Sequence, residues 1–256
     1  MKQGINFLCL FTLLSNLLYA QEITFDKQAE LEQAYLKQVD SEALLPMNDL
    51  NMEFGYVLYE AEIVTESESE ELELENVRDY AAVYVDGKLQ GTLTGNRKKI
   101  AIKANPGKHL LQLYVENIGR ITYGPEITDN SKGLFGEVTL NGNDIEQWKI
   151  TPLNIKKYPV KDLKFDARNE SEAPSFYKGT FELNTLKNTY LDISGWGMGE
   201  VWVNNKYVGS YWEEEKQRSI LISSENLVQG KNEVVVFELK NNQQKTMKLS
   251  ETPIFK

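Results

Sequence analysis

The sequence predicts an all-β protein: two tandem jelly-roll-like β-sandwich domains preceded by a short N-terminal helix. Three observations predict it. From Phe54 onward, short runs rich in aromatic and β-branched residues alternate apolar with polar positions, as a pleated, half-buried strand requires. Turn clusters such as Asp86-Gly87, Asn105-Pro106-Gly107 and Asn141-Gly142 punctuate those runs, with no long helical period between them. An internal repeat aligns VYVDGKLQGT at 83–92 with VWVNNKYVGS at 201–210, and two copies imply two units.

Residues 1–20 have the layout of a signal peptide, with Met1-Lys2, an apolar run over 7–14 and a cleavage point after Ala20. That run is too short to span a bilayer. It holds Cys9, the single cysteine, so the exported chain has no disulfide and depends on burial for stability. Residues 21–50 read as a helical or linker segment: 26–39 is rich in Glu, Gln, Lys, Ala and Leu, Asp26 is placed to cap it, and Leu44-Leu45-Pro46 ends it. The first sandwich is assigned to 51–156, with strands over 55–64, 81–85, 99–102, 110–115 and 136–140. Its acidic run 66–75 (ESESEELELE) is read as a solvated loop. The second is assigned to 157–256. Its polar stretch 162–175 reads as a linker or surface loop, followed by strands over 177–183, 189–192, 200–203, 207–211, 218–222 and 233–239. The three glutamates 213–215 are read as a second solvated loop.

Composition narrows the chemistry. A formal net charge of −10 argues against nucleic acid or an anionic membrane surface as a partner. One histidine and no cysteine outside the leader exclude thiol catalysis and weigh against Ser-His or multi-histidine sites. His109 lies in a strand-like run and reads as structural. No compact Asp/Asn ligand series is present, so no metal and no cofactor are expected.

The order of several strings resembles the region that follows the catalytic barrel in β-galactosidases of glycoside hydrolase family thirty-five. These are 54–59 (FGYVLY), 77–87 (VRDYAAVYVDG), 115–124 (VENIGRITYG), 132–134 (KGL) and Trp148, then 176–181 (FYKGTF), Asp192, 195–199 (GWGMG), 201–204 (VWVN) and 209–212 (GSYW). The resemblance implies a galactose-binding-domain-like sandwich for the second half. It also implies that the two catalytic glutamates belong to an N-terminal (β/α)₈ barrel with no counterpart among these strings. Where that family usually has Lys, Gly, Arg and Asn, this chain has Met198, Asn205, Ser210 and Thr122, and Glu215-Lys216-Gln217 replaces a Gly-Pro-Gln string. Losing a Lys and an Arg removes charge-assisted contacts available to a barrel or a ligand.

Sugars are held by aromatic faces beside planar polar groups. Two stretches offer that combination. One contains Trp196, Asn204, Tyr207, Tyr211, Trp212 and Glu213 around the second hairpin; the other contains Asn117, Arg120 and Tyr123. Trp196 and Trp202 read first as sandwich core, Trp212 as a rim residue, and Arg120 as either a structural ion pair or a recognition residue. The functional expectation is an exported, periplasmic or extracellular, non-catalytic protein that binds a galactoside or plant-type glycan, with no membrane insertion. The alternative is a split β-galactosidase component that docks on a separate catalytic barrel.

Overall fold

The computed structural model describes residues 21–119, 124, 127–129 and 131–256. The leader 1–20, with Cys9, and the candidate residues Arg120 and Tyr123 lie outside the described residues. The protein is all-β, and its sheets stack in layers. A six-stranded antiparallel sheet runs in the order Val39–Ser41, Trp148–Leu153, Gly55–Thr65, Gly107–Asn117, Tyr80–Val85, Lys88–Thr94. A four-stranded sheet, Asn143–Asp144, Gly133–Leu140, Ser69–Arg78, Lys99–Lys103, covers one face of it. Val57, Tyr59, Leu72, Leu74, Leu113, Val138 and Trp148 fill the space between them.

A third sheet runs Lys206–Trp212, Met198–Val203, Gly230–Glu238, Ser175–Leu183, Glu22–Glu30, Thr246–Ser250, Thr189–Asp192, Ser219–Ile222, with Asp166–Ala167 pairing beside Glu22–Glu30. It folds over its own core, in which Val201, Val203 and Val236 meet Leu191, Ile222 and Met247 around Trp196. Its other face packs on the six-stranded sheet. Tyr56, Leu58, Tyr80, Ala82, Tyr84 and Tyr114 from one side meet Phe176, Met198, Trp202, Val235 and Phe237 from the other. The six-stranded sheet is therefore buried on both faces, which explains the unbroken apolar run Tyr80–Val85.

Two local expectations are corrected, and the expected loop at 162–175 carries only the two-residue strand Asp166–Ala167 before Ser175. The helix expected over 26–39 is instead the strand Glu22–Glu30, a single 3₁₀ turn Leu31–Ala34 and the short strand Val39–Ser41. Burying Ile23, Phe25 and Ala29 between two neighbouring strands outweighs the weak helical propensity of the segment. The acidic run is not a loop beyond its first turn: Ser69–Arg78 is a strand with Leu72, Leu74 and Val77 inward and Glu71, Glu73 and Glu75 toward the outside. Glu70 is buried and accepts the backbone N–H groups of Glu66 (2.5 Å) and Ser67 (2.9 Å), closing the turn before the strand. The polar stretch 162–175 is tied down, because Arg168 donates to the Phe25 and Asn242 carbonyls and stacks 4.0 Å from the Tyr177 ring centroid.

The repeat holds in detail. Both hairpin turns place two successive residues at positive φ, Asp86-Gly87 (49° and 73°) and Asn204-Asn205 (49° and 65°), as a two-residue hairpin of this twist requires. Both hairpins shift register at the matching place, between Val83 and Tyr84 and between Val201 and Trp202. His109 sits beside the first turn, its Nδ1 2.7 Å from Asp86 Oδ2 and its Nε2 2.6 Å from the Asn105 carbonyl. The hydrogen bond to Asp86 chiefly raises the imidazole above its ordinary value. Nuclear magnetic resonance titration is expected to find that elevation, and Asp86→Asn to remove most of it; an unchanged midpoint in the variant would contradict the pairing.

Candidate functional site

The seam between the six-stranded sheet and the third sheet carries polar groups as well as apolar ones. Glu200 is fully buried, because strand alternation turns it from the core that Val201 and Val203 enter toward the opposing sheet. Its carboxylate accepts from Tyr56 Oη (2.9 Å) and Tyr207 Oη (2.8 Å), and Lys156 Nζ lies 3.1 Å away. Burial raises the Glu200 carboxyl above its ordinary value, and Lys156 opposes that rise. From the facing sheet comes Glu116, 3 % exposed. Burial first, and then the charge of Glu200, pushes its carboxyl up to about 7.

A cavity of about 410 Å³ opens beside Glu116. Its walls come from both sides of the seam: Tyr56, Asp79, Tyr80 and Glu116 on one, Met198, Tyr211 and Trp212 on the other. Tyr80 and Trp212 meet edge to face with ring centroids 5.9 Å apart. Among the described residues, three buried side-chain polar atoms have no hydrogen-bond partner: Tyr80 Oη, Glu116 Oε2 and Trp212 Nε1. All three residues line this cavity. Thr92 and Lys240 act on the Tyr80 hydroxyl from nearby without closing a hydrogen bond. Each such group forfeits roughly 1–3 kcal/mol unless something satisfies it.

Of the residues singled out from sequence, Tyr211 and Trp212 lie in this wall. The other described ones are committed to structure. Trp196 is fully buried and donates to the Thr246 carbonyl (2.8 Å). Asn204 donates to the Asn226 carbonyl and Asn232 Oδ1 and accepts the Glu233 N–H, holding its turn. Asn117 is buried and donates to the Glu53 carbonyl (2.9 Å). Tyr207 keeps an exposed ring but its hydroxyl is spent on Glu200. Tyr211 itself donates to the Phe237 carbonyl and to Glu238, a buried carboxylate that also accepts the N–H groups of Gly197, Met198, Lys240 and Asn241. Glu213 is paired with Lys240.

Tyr56, Tyr80 and Glu116 were not singled out from sequence. Their signal was present: Tyr56, Leu58, Tyr80, Ala82, Tyr84 and Tyr114 occupy the alternate positions of strands whose other positions already form one core. Apolar residues on both faces announce a second buried interface, and a glutamate in that register is out of place unless it has a task. Among the described residues, no cluster of His, Cys, Asp or Glu is arranged to hold a metal ion, and no helix is long and apolar enough to cross a membrane.

Comparison with known proteins places these halves. A family model described as "Beta-galactosidase, first all-beta domain" matches residues 45–154, and one described as "Beta-galactosidase, galactose-binding domain" matches 174–232. Human "Beta-galactosidase-1-like protein 2" is 32 % identical over 200 residues, covering 76 % of this chain and 31 % of that protein. "Beta-galactosidase" of Xanthomonas manihotis is 30 % identical over 179 residues, covering 69 % and 29 %. "Beta-galactosidase 1" of Dictyostelium discoideum is 30 % identical over 237 residues, covering 84 % and 35 %. The chain thus spans about a third of the length of the curated relatives it matches. Among solved structures, a lectin from Pleurotus ostreatus in complex with GalNAc covers 90 % of this chain at TM-score 0.28 and 13 % identity, too distant a likeness to bear on function. Through its two matched domains the chain belongs to the β-galactosidase family's all-β region, the first all-β domain followed by the galactose-binding domain.

Proposed function

We propose that this chain is an exported, non-catalytic carbohydrate-binding protein that takes a galactoside or plant-type glycan in the cavity between its two stacked halves. The aromatic wall of this cavity, Tyr56, Tyr80, Tyr211 and Trp212 beside the carboxylates of Asp79 and Glu215, carries this reading. The cavity lies within the volume range of small-molecule sites, and its lining sets Ser210, Glu215 and Gln217 beside aromatic rings, as a polyhydroxylated ring requires. A non-catalytic role is supported by the state of its carboxylates. Retaining hydrolysis needs two carboxyl groups open to one glycosidic bond, whereas Glu200 is fully buried and held by Tyr56, Tyr207 and Lys156.

Titration calorimetry with galactose and plant galactans is the test. Binding is expected in the millimolar range or tighter, with no hydrolysis of an aryl galactoside. Glu215→Ala is expected to weaken binding about fivefold to tenfold through one lost hydrogen bond, while leaving thermal stability unchanged. Stability lost together with binding would make Glu215 merely structural, and no response to any galactoside would sink the reading.

The docking alternative is favoured by a different feature. Exposed Leu36 and Phe54 flank a groove of about 900 Å³ that also draws on Met52, Leu153 and Ile155. Co-elution with a separately encoded barrel, with no sugar response, would favour that reading instead.

A further inference from the structure

The seam cavity and the groove beside Phe54 are neighbours. Tyr56 lines both, and the consecutive residues Ile118 and Gly119 divide between them, the first in the cavity and the second in the groove. Lys132 of the groove donates to both oxygens of Asp79 in the cavity, at 3.0 and 2.9 Å, so an ion pair ties the two linings together. The shared wall is braced from behind: Tyr56 donates to Glu200, which also pairs with Lys156 of the groove at 3.1 Å. At about 410 Å³ and about 900 Å³ the two spaces lie near opposite ends of the range for small-molecule sites, and a single hexose fills only part of them. The groove also carries groups that a sugar uses. Phe54 is 44 % exposed, and Lys157 Nζ, 5.2 Å from its ring centroid, steadies the ring. Asn51 is exposed and Asn154 half-buried, and among the described residues neither side-chain amide has a hydrogen-bond partner. A planar amide offers donors and an acceptor together, as neighbouring hydroxyls on a ring require.

From this we propose that cavity and groove form one extended cleft for an oligosaccharide. One unit sits in the seam cavity, and the units that follow lie along the groove, stacked on Phe54 and hydrogen-bonded by Asn51 and Asn154. This rests on the saccharide reading of the cavity and adds chain length to it. Each unit past the first brings new contacts, while the ligand gives up its overall translational and rotational freedom only once. An apolar protein surface is the poorer occupant of the groove, because it would cover the amides of Asn51 and Asn154 and leave them unsatisfied.

Calorimetry of the full chain with galactose, galactobiose and galactotetraose is the test. Galactotetraose is expected to bind at least about tenfold more tightly than galactose, with galactobiose between them, a gain larger than several equivalent units supply by number alone. Phe54→Ala, and separately Asn51→Ala combined with Asn154→Ala, are expected to bring galactotetraose within about threefold of galactose, with the thermal midpoint unchanged. Glu215→Ala, in the cavity, is expected to weaken all three sugars. Equal affinity for galactose and galactotetraose in the unsubstituted chain overturns the extended cleft and leaves saccharide binding in the cavity standing. A length dependence that survives both groove variants overturns it as well, since the added units then lie elsewhere. Galactotetraose binding that Phe54→Ala weakens and Glu215→Ala does not keeps the groove as a sugar site and overturns the reading of the cavity. Silence toward all three sugars overturns both.

Discussion

Replacing Gly199 with alanine is expected to leave the chain without a stable folded state. Gly199 sits in Met198–Val203 opposite Glu238, where that strand and Gly230–Glu238 run side by side. A Cβ built there would lie 1.8 Å from the Phe237 carbonyl oxygen and 2.7 Å from Tyr211 Oη. The first obstacle is backbone in a central strand, so no rotamer change relieves it. Glycine inside a strand commonly marks such a close approach. The cost is expected to exceed about 4 kcal/mol, beyond the ordinary range for one substitution. Urea denaturation with soluble yield is the measurement, and a midpoint close to that of the unsubstituted protein would mean the strand spacing is wrong.

The second large effect runs the other way. Glu116→Gln is expected to stabilise the unliganded protein at alkaline pH by up to about 3 kcal/mol, at 1.36 kcal/mol per unit of pKa difference. Below about 4.5 the carboxyl is protonated in both folded and unfolded chains and costs nothing. Between there and about 7 the unfolded chain ionises while the folded chain keeps its proton, so stability falls as pH rises. Above 7 the folded state carries the whole cost. The variant is expected to lose this slope, with the difference between the two proteins shrinking toward zero near pH 4.5. Denaturation series at pH 4.5, 6 and 8 measure it, and a flat profile in the unsubstituted protein would show that Glu116 is compensated.

Residues in single-faced contexts were legible in the sequence. The alternating runs around Ile63, Ile102 and Val138 gave strands, and the Asp86-Gly87 and Asn204-Asn205 turns gave matching hairpins, because local periodicity and turn chemistry decide both. Glu22–Glu30 was not legible, since its strand state depends on partners far along the chain. The acidic strand Ser69–Arg78 was hidden by charge, although Leu72 and Leu74 kept the two-residue period. Of the residues lining the seam cavity, Tyr211 and Trp212 stood out in the sequence. Its other wall was not legible, because a sheet buried on both faces leaves no polar side against which a buried glutamate stands out.

The strand Glu22–Glu30 has a further consequence when the chain is considered as it is synthesised. It occupies, beside Ser175–Leu183, the place that Trp148–Leu153 holds beside Gly55–Thr65 in the other repeat. Gln28 bonds to Ser175, 147 positions later, and Ile23 pairs with Met247. On a ribosome this segment emerges before all of its partners and waits, edge exposed, while the whole six-stranded sheet forms behind it. Long-range closure of this kind is slow, and a waiting bare edge invites wrong pairing. A holdase or a translocation partner that masks residues 22–30 would therefore raise the yield of native protein more than any aid to the later strands. For the same reason, residues 174–256 expressed alone would present two unpaired edges and aggregate.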